Sequence, residues 1–240
     1  MRKIARWTIG RTNSLGEECL RHSVRRFKVL YPEFETIVCC NNLTDKQRSN
    51  LNLLNVEIHD QSSNELDYPL VDVNSPLGWK GSMPGWGWKL LPPRLEIDSY
   101  ELWIDNDIIV RERVPSIDQW IGSNRSLISL SHQRAYGVFE KEIKGDICYC
   151  AGFFGLPPGF DFNSRILHHC KKLFGPLGHY DEQGITVLCT LETDPIIVPV
   201  EELSVVKALK KPYSNALHFI GLNRTDDHKS WSDYKCYTLM

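Results

Sequence analysis

The N-terminal quarter of the chain alternates short apolar runs with amphipathic stretches, and that alternation constrains the fold more than any other feature. Ala5 to Gly10 (ARWTIG) reads as a first strand. Ser14 followed by Glu17 forms a capping-box pattern, and behind it Leu20, Val24, Phe27 and Leu30 recur at helical spacing until Pro32. Phe34 to Cys40 (FETIVCC) is a second strand. Thr44 with Gln47 repeats the capping signal for a helix to about Leu54, and Val56 and Ile58 begin a third strand. Strands and helices in this order predict right-handed βαβ units and a parallel sheet. Ligands of such sheets bind beyond the carboxyl ends of the strands, where the turn Arg11-Thr12-Asn13 falls. Thr12 is therefore a candidate nucleotide contact.

Later segments continue the α/β pattern. Ser126 to Ser131, Ile147 to Leu156 and Ile196 to Val200 read as strands, and Asn163 to Phe174 as a helix. Asp181 reads as the N-cap of a helix through Leu191. A short or bent helix is expected from Lys89 to about Glu96, because Pro92 and Pro93 sit awkwardly in it. Upstream lies GWKGSMPGWGWK, whose Trp79, Trp86 and Trp88 either pack on the core or offer flat platforms on a lid. No repeat or composition break divides the 240 residues, so residues 1–240 read as one domain.

Formal net charge is −2, which gives no global electrostatic case for nucleic acid as a partner. No stretch approaches the length of a signal peptide's apolar core or a membrane span, which implies a cytoplasmic protein and leaves peripheral membrane association open. The eight cysteines lack the paired spacings of a zinc site and read as structural thiols.

The chemistry concentrates in Glu101 to Val110, ELWIDNDIIV. With no Gly or Pro inside it, this reads as one buried strand, from which Asp105 and Asp107 leave on one face and Asn106 on the other. Two carboxylates so close repel, and burying even one costs several kcal/mol unless something compensates. A divalent cation is the usual compensation, and Mg2+ commonly shares its shell between carboxylates and substrate phosphates. A strand ending at Asp105, with both acids capping a turn in water, is the plainer alternative.

YELWIDNDIIV, with WKLLPPRL before it, resembles the acidic element of nucleotide-sugar glycosyltransferases of GT-A fold. CAGFFGLP resembles the strand with small residues that follows in that class, and HYDEQG the helix start carrying an acid near the reacting sugar. HFIGLNR, from His218 to Arg224, resembles the His-x-x-Gly-x-x-Lys element of glycosyltransferase family eight. The resemblance implies a single-domain GT-A-like α/β fold with a mostly parallel sheet. It implies a hexosyltransferase-type enzyme moving a sugar from a nucleotide-sugar donor, foremost a UDP-sugar, to a saccharide or other hydroxyl acceptor. Asp105, Asp107 and His218 would hold Mn2+ or Mg2+, and Asp105 and Asn106 would also face the nucleotide. Lys89 would contact phosphate, as would Arg224, which stands where the family often has Lys. Asp181 and Glu182 would act near the reacting sugar.

Two rivals differ in kind. An apolar strand ending in Asp-x-Asp also opens haloacid-dehalogenase-like phosphatases, which use Mg2+, but there it falls near the N-terminus rather than after three strands. A non-catalytic nucleotide-sugar-binding module would keep the fold without turnover.

Overall fold

The computed structural model describes residues 1–10, 12–41, 43–60, 87–171, 180–206, 214–220, 231, 232 and 234. The chain runs β1 (Lys3–Ile9), α1 (Ser14–Leu30), β2 (Glu35–Cys40), α2 (Asp45–Asn52), β3 (Glu57–Asp60) and a 3-10 turn at Gly87–Leu90. There follow β4 (Tyr100–Ile104), β5 (Ile108–Val110), α3 (Pro115–Trp120), β6 (Leu127–Leu130), a 3-10 turn at Gly137–Phe139 and β7 (Tyr149–Leu156). Helices α4 (Phe162–Cys170) and α5 (Asp181–Leu191) and strands β8 (Ile196–Val198), β9 (Leu203–Val205) and β10 (Ala216–His218) complete it.

Seven strands form the central sheet in the order β3-β2-β1-β4-β7-β6-β8. It is mostly parallel; β7 runs against both its neighbours, β4 and β6. A second sheet has the order β5-β10-β9. Both faces of the large sheet are covered. On one, α1 buries Leu20, Val24 and Phe27 against Trp7 and Val38, and Phe27 stacks on Tyr31 at 4.7 Å. Burying a side chain such as Phe27 is worth about 1.5–3 kcal/mol. The one polar residue on that stripe is paired, since Ser23 Oγ accepts from Trp7 Nε1 at 2.9 Å and donates to the Ile108 carbonyl. On the other face Trp103, Phe154 and Phe162 pack with Leu90, Leu91 and Ile185.

Several local expectations change. The N-cap of α1 is Asn13, whose side chain accepts from the Gly16 N–H, so Ser14 is already helical. The Thr44–Gln47 box forms as read. No helix spans Lys89 to Glu96: the 3-10 turn stops at Leu90, and Pro92 and Pro93, which cannot donate to a helix, lie in an irregular segment. Asp181 does not cap α5. Tyr180 does, in the left-handed region with φ 68°, and Asp181 is the first helical residue.

The largest correction falls at Glu101 to Val110, which is two strands rather than one. Tyr100–Ile104 lies in the large sheet between β1 and β7, with all five residues buried. A turn closed by the Ile108 N–H on the Asp105 carbonyl at 3.0 Å then carries the chain into the small sheet. Apolar residues continue on both sides because both halves feed one core, with Tyr100, Leu102 and Ile104 of β4 packed in the same cluster as Ile108 and Val110 of β5, so composition hides the break.

Candidate metal centre

That turn lies at the carboxyl edge of the parallel strands, at the seam between the sheets. Its backbone is fixed from both: Asp105 N–H donates to the Gly152 carbonyl at 2.7 Å, and the Asp107 carbonyl accepts from Phe219 N–H at 2.8 Å. Antiparallel pairing of β10 with β5 sets His218 opposite Ile108, one residue from Asp107. One ligand atom each from Asp105, Asp107 and His218 lies within 4.8 Å of the others. His218 Nε2 stands 3.2 Å from Asp107 Oδ1, close to the edge of a coordination shell whose bonds are about 2.1 Å. The other ring nitrogen, Nδ1, faces Cys150 Sγ at 4.0 Å, so Nε2 is the nitrogen available to a metal.

Gly152 leaves room for the cluster. A Cβ there would lie 2.8 Å from Asp105 Oδ2 and 3.1 Å from His218 Cε1. Two carboxylate oxygens and an imidazole around a pocket without a side chain fit a divalent cation, and the nitrogen suits Mn2+ better than Mg2+.

Charge is balanced locally. Lys89 Nζ pairs with Asp105 Oδ1 at 2.8 Å. Burial pulls the Lys89 ammonium down, but the Asp105 and Glu182 carboxylates outweigh it and hold its pKa above the ordinary value. Burial likewise opposes protonation of His218, and Asp107 overrides it, so the imidazole titrates well above its usual pH. Glu182 is buried; desolvation raises its carboxyl pKa against the pull of Lys89, and its Oε2 has no hydrogen-bond partner among the described residues.

The structure thus brings Asp105, Asp107, His218, Lys89 and Glu182 together. Asp181 points elsewhere: its Oδ1 accepts from Val138 N–H at 2.8 Å. Gly137 (φ 57°) permits that approach, for a Cβ on it would be 1.9 Å from the same oxygen. Asn106 is buried in the turn. Thr12 sits past the end of β1, the strand beside β4, and its carbonyl accepts from Gln47 Nε2 at 2.8 Å. Arg224, Trp79 and Trp86 lie outside the described residues, as does the side chain of Trp88. Gly152 and Cys150 are part of the centre although no reading of residue chemistry singled them out; the small residues of CAGFFGLP were the available signal.

This fold is the GT-A-like fold of nucleotide-sugar glycosyltransferases. The particular structures it resembles include the galactosyltransferase LgtC in complex with donor and acceptor sugar analogues, at TM-score 0.59 and 14% identity over 91% of this chain and 87% of that one. An active-site mutant of LgtC gives TM-score 0.60 at 13% identity, covering 98% and 96%. The apo bifunctional glycosyltransferase WbbM gives 0.56 at 10% identity, over 92% of this chain and 46% of its own. No family model and no curated protein matches the sequence.

Proposed function

We propose that the protein is a metal-dependent glycosyltransferase that moves a sugar, of hexose type, from a UDP-sugar to a saccharide or other hydroxyl acceptor. The observation that carries this reading is the convergence of Asp105, Asp107 and His218 at the carboxyl edge of a GT-A-like sheet. These three would hold Mn2+ or Mg2+, which when bound would neutralise charge developing on the departing diphosphate. Lys89, poised between Asp105 and Glu182, exchanges its carboxylate partner for a phosphate oxygen. Glu182 faces the sugar from the start of α5 and is held there in low dielectric. Asp181 serves beside it by fastening the 3-10 turn at Gly137–Phe139 to that helix start. Thr12 and Asn106 flank the nucleotide, and Arg224 supplies a further phosphate contact.

Residues 1–240 act as one domain in this reading. Among the described residues no helix is long and apolar enough to cross a membrane. All seven described cysteines are free, which supports a reducing, cytoplasmic setting. The phosphatase alternative has no support in the LgtC and WbbM structures, which are glycosyltransferases.

Calorimetry with UDP, with and without Mn2+, tests the proposal, followed by hydrolysis of UDP-sugars in the absence of acceptor. UDP affinity is expected to collapse in EDTA and return with Mn2+, and slow donor hydrolysis separates an enzyme from a binding module. Binding of equal strength without metal refutes the metal role.

A further inference from the structure

The Arg6 guanidinium is wholly buried in the middle of β1, and the Glu101 carboxylate is wholly buried on the adjacent β4. The chemistry proposed above uses neither. Removing such a pair from water costs about what their attraction returns, and apolar residues of equal volume often serve stability better. Their remaining contacts show a more specific use. Arg6 Nη1 donates to the Pro92 carbonyl at 2.5 Å, Nη2 donates to the Leu91 carbonyl, and Cζ lies 3.6 Å from the centroid of the Trp103 ring. Glu101 Oε1 is 3.3 Å from Arg6 Nη1, while Oε2 accepts from Leu95 N–H at 2.9 Å and lies 3.3 Å from Arg94 Nε. Arg94 donates in turn to the carbonyls of Ser99 at 2.7 Å and Pro157 at 3.1 Å.

The segment from Leu91 to Leu95 belongs to no helix or strand. Side chains from β1 and β4 fix its carbonyls and amides instead. Two residues before Leu91 stands Lys89, paired with Asp105 at the end of that same β4. Arg6 therefore ties together the strand next to Asp105 and the backbone that presents Lys89 to it.

We propose that Arg6, braced by Glu101, is a positioning residue that holds Lys89 in register with Asp105 and so sets where the donor diphosphate meets its cation. This rests on the reading of Lys89 as a phosphate contact. A guanidinium suits the task because its planar fork reaches two successive carbonyls, which the single ammonium of lysine does not reproduce.

The test uses Arg6→Met in the full chain, with Arg6→Met/Glu101→Gln as a second variant should the first fail to fold. Two quantities are measured: the rate at which an amine-acylating ester modifies Lys89, mapped by mass spectrometry, and the affinity for UDP with Mn2+. The latter is repeated in Lys89→Met and in the combination with Arg6→Met. Lys89 is expected to react severalfold faster once released from Asp105. UDP affinity is expected to fall about tenfold, as in Lys89→Met, with no further loss in the combined variant. Unchanged Lys89 reactivity, or losses that simply add, overturns the proposal. Faster Lys89 modification with unchanged UDP affinity upholds the positioning role and overturns the assignment of Lys89 to the diphosphate.

Discussion

Gly152→Ala adds one methyl where the candidate metal centre has no room for it. The new Cβ would lie 2.8 Å from Asp105 Oδ2, 3.1 Å from His218 Cε1 and 3.3 Å from Asp105 Cγ. Carbon and oxygen ordinarily settle no closer than about 3.3 Å, so the carboxylate must retreat by about 0.5 Å. The Gly152 backbone is tethered on the Asp105 side, since its carbonyl accepts from Asp105 N–H at 2.7 Å, although the β6–β7 register shifts across residues 151–153. Overpacking on this scale costs about 1–3 kcal/mol, and each kcal/mol lowers the melting temperature of a chain this long by about 2–4 °C. Metal affinity should fall by about 10–100-fold, because two of the three candidate ligands are displaced together. Gly155→Ala is the matched control: its Cβ would meet Trp120 Cζ2 at 2.6 Å, away from the centre. It should destabilise at least as much and bind Mn2+ normally. Mn2+ titration and melting of both variants on the same samples decide the matter. If Gly152→Ala loses stability but binds Mn2+ like the unaltered protein, the three side chains are not a metal centre.

Proton and metal compete for His218 Nε2, so Mn2+ affinity should climb as pH rises toward the raised pKa of the imidazole and level off above it, read by titration across neutral and mildly alkaline pH. In metal-free protein the sign reverses: the raised pKa makes the His218–Asp107 pair stabilising below the unfolded pKa, and that contribution is lost as pH rises through the folded one. Asp107→Asn should abolish Mn2+ binding and return the His218 titration, followed by NMR of the ring protons, toward ordinary values; an unmoved titration counts against the pair. Glu182→Gln should raise the melting temperature at neutral pH, because a carboxyl with an upward-shifted pKa favours the fold only once it is protonated. The same change should slow transfer by about 10²-fold, and undiminished turnover would remove Glu182 from the chemistry.

Features set by neighbours in sequence were legible without coordinates. The stripe of Leu20, Val24 and Phe27 made α1, the Thr44–Gln47 box opened α2, and the alternation of elements required parallel strands. Two acids between apolar runs marked the candidate centre for the same reason, since short-range burial and charge are properties of the string. Side-chain direction was not. Whether Asp181 or Glu182 faces the centre depends on the left-handed Tyr180 and on the space at Gly137, which draw Asp181 onto Val138. Whether Asp105 and Asp107 share a strand face depended on where β4 gives way to β5, and both halves are equally apolar. His218 reaches the acids only because β10 pairs with β5 at one register, and a slip of one residue would turn its ring to the opposite face. Register and packing are settled by contacts between segments far apart in the chain, and those contacts exist only once it has folded.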